Sequence, residues 1–562
     1  MSKKLTALLM AAMMLLSLAA ACGNQTTTTP ETPAPAPSTP APSTPAPSTP
    51  APAPSTPAEP EKDPRYGGDL VLATTSVPNA LDPHFVAGVA NNSAWMQNCF
   101  ETPMAMSASG VAYPLICDYE AAEDGMSIKL TLREYYFSNG EKVTIDDIVA
   151  SIERHALNDA SYASTYWKYL IDTKVEGDSV TYTFNQLIPT LTEAFASVYG
   201  PYIIPKELCD KYGENRIESE SELIGTGPYI LQKYAPDTEI VMVRNENYVP
   251  TFNEGANGLA APRMAFPDSI TFSVNKDSAS RTAGMIAGDY DIGGILTEMR
   301  PYAEQVGLKR YLLENQWTHG IMFNLSENNA DSPIADVNFR KAIRAVLDCD
   351  ALMVAAVNNT DPNMYILDPN PMVEANTTYY NSILADTEWN IKDKELAKQY
   401  LAASGYNGEE ITWLASAGSA YYRIAMAAIP MLEEIGIKVN LWTCDSGSHG
   451  ALRNDPASDY DIGAFESQKK VINPGTQDTL IQCSVFGWWD NAKHKEDLEI
   501  MYTTPTGSAE SVQAYTDFCQ QVADELPWIA FGHTRSMTFS QPDVVFDYQG
   551  ITSYYWNCYF EK

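Results

Sequence analysis

An α/β fold with hairpin insertions is predicted by three features of the sequence. Short stretches alternate apolar and polar residues with period two, as in Ser127-Ile128-Lys129-Leu130-Thr131-Leu132-Arg133. Other stretches carry apolar residues at helical spacing, as in Val337, Ala342, Ile343, Val346 and Leu347. One passage joins the two: a long helical pattern from Ala420 to Ile435 stops at Gly436, and the strand pattern Ile437-Lys438-Val439-Asn440-Leu441 follows at once. Helix, glycine, strand in that order is the mark of a βαβ unit with parallel pairing.

The remaining elements follow in order. Gly68-Asp69-Leu70-Val71-Leu72-Ala73-Thr74 reads as a first strand that ends before Pro78. Asn139-Gly140 supplies a turn, and Thr144 then caps a helix running to about Arg154, with Asp146 and Asp147 suiting its amino end. A hairpin joins Thr173–Val175 to Val180–Phe184, and another joins Tyr229–Leu231 to Glu239–Arg244. A last helix is expected from about Gly507 to Asp524.

The amino end has a different character. Lys3 and Lys4 precede an apolar run from Leu5 to Ala21, too short for a typical spanning helix, and the run reads as a signal peptide over residues 1–21. Ala19-Ala20-Ala21-Cys22-Gly23 resembles the lipobox of bacterial lipoproteins, in which the cysteine is acylated. Ala19 stands where that motif usually has Leu, and Ala19-Ala20-Ala21 also fits ordinary secretion. The following segment favours the lipid reading. From Gln25 to about Lys62 the chain is Thr, Pro, Ala and Ser, with Pro-Ala-Pro-Ser-Thr recurring between Pro35 and Thr56. Such a segment has nothing to bury. Proline-rich chain of this kind extends by about 3.1 Å per residue, so it reaches roughly 120 Å. Residues 22–65 are therefore expected to be a stiff spacer that lifts a folded domain from a membrane.

Composition excludes several functions. The formal charge is −35 and no basic patch occurs, which argues against a nucleic-acid partner. Of nine cysteines, none forms a C-x-x-C pair, and the six histidines show no metal-binding spacing, so no metal or cofactor is expected. Scattered buried thiols are expected instead. An extracellular hydrolase would need a nucleophile or a metal motif in context, and neither G-x-S-x-G nor H-E-x-x-H is present.

The order of segments resembles the family-5 extracellular solute-binding proteins, the oligopeptide-, dipeptide- and nickel-binding components of ABC importers. Gly67-Gly68-Asp69-Leu70-Val71, Leu81-Asp82-Pro83-His84 and Phe100-Glu101-Thr102 are similar to the family's opening. Leu132-Arg133-Glu134 with Phe137-Ser138-Asn139-Gly140-Glu141-Lys142-Val143-Thr144 resembles its most characteristic block. Ile224-Gly225-Thr226-Gly227-Pro228-Tyr229, Arg244-Asn245-Glu246-Asn247-Tyr248 and Asp336-Val337-Asn338-Phe339-Arg340-Lys341-Ala342 continue it in order.

The resemblance implies a two-lobed periplasmic-binding-protein fold of type II (cluster C) with an extra inserted subdomain. Lobe I would comprise residues 66–98, 206–308 and 532–562, the inserted subdomain 99–205, and lobe II 309–531. It implies a monomer that is not an enzyme, capturing an oligopeptide or related solute for a permease and its ATPase subunits. Non-peptide cargo (an anionic compound, a sugar or a metal chelate) and a signalling role remain alternatives. The loop around Ala87, Gly88 and Val89 would offer backbone hydrogen bonds to the ligand. His319, Phe323 and Phe465 fall in strands that the family directs to the cleft, and Trp488 and Trp489 are further candidates from lobe II. Peptide-binding relatives place an aspartate, which meets the peptide amino group, where this chain has Gln468 or Lys470, with Glu466 close by. Lys470 would suit a carboxylate-bearing ligand.

Overall fold

A computed structural model of the chain describes residues 63–75, 81–85, 95–158, 164–196, 198, 200–235, 237–313, 317–359, 361–468, 474, 480, 487–547 and 554–562. The signal peptide, Cys22 and the proline-rich spacer lie outside the described residues.

Each alternating segment forms the strand expected of it, and each buries the apolar half of its pattern. Asp69–Thr74 buries Leu70 and Leu72, Ser127–Leu132 buries Ile128 and Leu130, and Ser179–Phe184 buries Val180, Tyr182 and Phe184. A fully buried aliphatic or Phe side chain contributes about 1.5–3 kcal/mol, so these rows decide which face of each sheet turns inward.

Three sheets result. The first has seven strands, in the order Lys309–Leu313, Ser536–Ser540, Ile292–Gly293, Asp69–Thr74, Ser269–Val274, Glu239–Arg244, Tyr229–Ala235. At its centre Asp69–Thr74 pairs in parallel with Ser269–Val274, Leu70 opposite Ile270, although some 200 residues separate them. The second has six: Tyr365–Ile366, Trp528–Thr534, Trp317–Phe323, Ile462–Gln468, Glu410–Ser416, Lys438–Cys444. The third is an antiparallel four-stranded sheet, Cys117–Ala121, Ser127–Leu132, Ser179–Phe184 and Leu170–Glu176, from the stretch expected to be inserted. Lys309–Leu313 and Trp528–Thr534 straddle the expected domain edges at 308/309 and 531/532; pairing assigns the first to the seven-stranded sheet and the second to the six-stranded one.

The βαβ passage folds as the sequence predicts. Glu410–Ser416 and Lys438–Cys444 pair in parallel, joined by the helix Ala420–Glu434. Gly436 sits at a φ of +102°, a left-handed conformation that glycine adopts without cost. The helix Ile145–Ala156 starts at Thr144 with a full capping box. Thr144 accepts from the Asp147 amide, and the Asp147 carboxylate accepts from the Thr144 amide at 2.8 Å. The other Asp147 oxygen accepts from the Lys206 amide at 2.7 Å, which ties this helix to the chain leaving the insertion.

Seven described cysteines are free thiols, and all but Cys444 are buried. Burial pushes the Cys99, Cys117 and Cys558 thiols far up, so they behave as small apolar side chains. No described helix is long and apolar enough to cross a membrane.

Candidate functional site

In open α/β sheets ligands bind outside the carboxyl ends of the parallel strands. The six-stranded sheet contains three such strands side by side: Lys438–Cys444, Glu410–Ser416 and Ile462–Gln468. Helices Ala420–Glu434 and Ser446–Arg453 follow the first two carboxyl ends. They are capped by Ser419, which accepts from the Tyr422 amide, and by Asp445, which accepts from the Gly447 and Ser448 amides. Trp317–Phe323 runs antiparallel to Ile462–Gln468, so its amino-terminal half lies at the same end, with Trp317 opposite Gln468 and His319 opposite Glu466.

Alternation then sorts the side chains. Ile462 and Ala464 join one core, together with Ile321 and Phe323 of the neighbouring strand. Glu466 and His319 continue those two rows to their polar end. Phe465 and Met322 point to the opposite face and join a second core. Gly320 makes room for this: a Cβ there would lie 2.5 Å from the Phe465 ring and 2.3 Å from the Ile529 carbonyl.

At the polar end the Nδ1 atom of buried His319 lies 3.5 Å from Glu466 Oε1. Burial, reinforced by the positive charge of Arg423, brings the His319 pKa down to about 4. The ring is therefore neutral near pH 7, and the contact is not an ion pair despite its length. Burial raises the Glu466 carboxyl, against the opposing pull of Arg423 and Arg453. Arg423 donates to the carbonyls of Ala355 at 2.9 Å and Ala356 at 2.8 Å, so it acts on this pair only at a distance. Tyr421 stacks on His449, ring centres 5.1 Å apart, and burial raises its phenol, with the Glu466 charge adding to the rise.

A second network holds the start of the loop expected to meet the ligand. Asp82 and Arg154 form a fully buried ion pair at 2.6 Å. Asp82 also accepts from the amides of His84 at 2.8 Å and Ile217 at 2.8 Å. Arg154 reaches His84 Nδ1 at 3.0 Å, and its guanidinium lies 4.8 Å from the centre of the Phe85 ring. Burial would raise the Asp82 carboxyl, but Arg154 and these amides outweigh it and hold it below its usual value. A third network is built on buried Glu101, which accepts from Tyr135 at 2.6 Å and Tyr248 at 2.8 Å and lies 3.3 Å from Arg263. Beside it a pocket of about 360 Å³ is lined by Arg133–Tyr136 and Asn247–Thr251. Among the described residues no cluster of His, Cys, Asp and Glu is placed to hold a metal ion.

The sequence candidates divide accordingly. His319 and Glu466 come together. Phe323 and Phe465 do not face a cleft: both are wholly buried, because strand alternation turns each into a core. Trp489 is likewise buried, stacked on His494 and donating its indole N–H to Glu525 at 2.7 Å. Trp488 is half-buried, at a φ of +43°. Gln468 ends its strand opposite Trp317, and nothing is described of its side chain. Ala87, Gly88, Val89 and Lys470 lie outside the described residues. Sequence reasoning missed Tyr421, Arg423, His449, Arg453 and the Asp82–Arg154 pair. The βαβ passage carried a signal for the first four, since they sit on the helices that follow its parallel strands.

Mixed sheets with a polar group gathered at the carboxyl ends define the class, a two-lobed α/β fold of the periplasmic-binding type. Comparison with known proteins places the chain within it. The model of the bacterial extracellular solute-binding proteins, family 5, matches residues 111–507, and the chain belongs to that family, as its segments imply. It is similar to the probable D,D-dipeptide-binding periplasmic protein DdpA of Escherichia coli, 23% identical over 70% of this chain and 73% of the relative. It is also similar to the periplasmic oligopeptide-binding protein OppA of Salmonella typhimurium, 24% identical over 66% of this chain and 70% of the relative. The crystal structure of the ABC transporter substrate binding protein CtaP of Listeria monocytogenes shares the fold. Its TM-score is 0.73 at 17% identity, covering 88% of this chain and 100% of that one.

Proposed function

We propose that this chain is the substrate-binding lipoprotein of an ABC importer, tethered by an acylated Cys22 and its spacer outside the cell membrane. It captures an oligopeptide or related small solute between two lobes and delivers it to the permease and its ATPase subunits. Lobe I is built on the seven-stranded sheet, lobe II on the six-stranded one, and residues 99–205 form the inserted subdomain. Closure is favoured because the closed state gives the ligand partners that the open state lacks.

The observation that carries this reading is the polar group of Glu466 and His319 at the carboxyl ends of three parallel strands. It stands where a scaffold of this class receives a ligand and not where it needs core packing. The family and the dipeptide- and oligopeptide-binding names of its relatives support peptides as the first class to try.

Thermal-shift screening of the purified chain against peptides, sugars, amino-acid derivatives and metal chelates tests it. A ligand at a hundred times its Kd stabilises the chain by about 2.7 kcal/mol, a clear rise in Tm. A screen without any shift removes the binding reading, and a shift with sugars or chelates alone changes the cargo. For the tether, Cys22→Ala should release the protein from cells into the medium; retention at the membrane removes the lipid anchor.

A further inference from the structure

We propose that Glu466 and His319 form one receiving point for a primary ammonium group of the cargo. This rests on the solute-binding reading above and names the chemistry of that site.

Both groups are placed for a donor that the protein does not supply. Among the described residues His319 is the one group within ion-pair range of Glu466, and as a neutral ring it brings no charge. His319 is 4% exposed, and its Nδ1 atom has no hydrogen-bond partner. A buried polar atom left this way costs about 1–3 kcal/mol unless a ligand satisfies it. Glu466 lies at the open end of its row, its side chain about one-third exposed, so a solute can reach it.

The spacing selects the chemistry. Two acceptors 3.5 Å apart admit a single nitrogen at hydrogen-bonding distance from both, roughly 2.8–3.0 Å. An ammonium has three N–H donors: one for a carboxylate oxygen, one for the imidazole nitrogen and one to spare. It also brings the positive charge that a half-buried carboxylate needs. A hydroxyl has one donor and cannot serve both acceptors, and a carboxylate would meet Glu466 with like charge. Arg423 cannot take the position, because its guanidinium is engaged on the carbonyls of Ala355 and Ala356.

The test uses two pools of the same tripeptides, one with free amino termini and one N-acetylated, with binding to the full chain read by calorimetry and thermal shift. On the unaltered chain the free pool should bind at least tenfold more tightly than the acetylated pool. Glu466→Gln should remove that preference while affinity for acetylated peptides stays as it was, and Glu466→Asp should restore part of it. Equal binding of the two pools, read on the unaltered chain and so independent of how any variant folds, overturns the ammonium site and leaves peptide binding intact. A preference that survives Glu466→Gln also overturns it. Binding of neutral sugars or of solutes without an amine, at an affinity unaffected by Glu466→Gln, overturns it and changes the cargo. A chain that binds nothing in any arm ends the solute-binding reading, and this inference falls with it.

Discussion

Single residues in this molecule matter most where charge is buried. Asp82 and Arg154 have almost no contact with solvent, and neither would be tolerated there alone. Arg154→Met leaves the carboxylate without its partner, and we expect a loss of about 3–5 kcal/mol at pH 7 in urea unfolding. The folded Asp82 carboxyl lies below its unfolded value. Its pair therefore contributes fully above the unfolded value and is lost as pH falls through the folded one. The gap between wild type and Arg154→Met should narrow on acidification below about pH 4. A gap that stays constant down to pH 2 would mean that Asp82 is already protonated in the folded protein. The same pair holds Leu81–Phe85, the approach to the loop expected at the ligand, so its loss should also weaken cargo binding.

Among the elements, the helix Ile145–Ala156 is the clearest case of local chemistry serving a long-range contact. Thr144 and Asp147 close its first turn, and Asp147 also anchors the Lys206 amide. Thr144→Ala removes one half of the box and should cost about 1 kcal/mol in global stability. Hydrogen exchange should rise first in that turn and at 206–209. Exchange confined to residues 144–147 would show that the Lys206 link is not coupled to the cap. The two strands bearing His319 and Glu466 work by the opposite logic. Neither strand contains the site; their antiparallel register, Gly320 opposite Phe465 and His319 opposite Glu466, creates it.

For the whole molecule, burial of uncharged histidines makes stability depend on pH. His84 and His319 both titrate at about 4 when folded, against 6.5 as the ordinary value, chiefly because burial disfavours the charged ring. Between those values the unfolded chain binds a proton at each position and the folded chain does not, so stability rises with pH across the window and falls on acidification through it. Each group adds a slope of up to about 1.4 kcal/mol per pH unit. His319→Gln should lower the slope of unfolding free energy against pH by about that amount between pH 4.5 and 6. An unchanged slope would show that His319 is charged in the folded state and could not accept a hydrogen bond from an ammonium at Nδ1.

Local patterns carried much of the fold. Period-two alternation located the strands at 69–74, 127–132 and 179–184, the Thr144 signature located its helix, and the stop at Gly436 foretold a parallel pair. These depend on neighbours along the chain, whose spacing sets which side of an element can be buried. Membership of the family was legible too, in short blocks kept in order. Contact across long separations was not: Asp69–Thr74 beside Ser269–Val274, Arg154 beneath Asp82, and Glu466 facing His319 are choices among many apolar or charged segments of equal local merit. Phe323 and Phe465 show the limit most plainly. An aromatic in a strand fits a cleft wall or a core equally well, and which it becomes depends on what the folded sheet is packed against on each side.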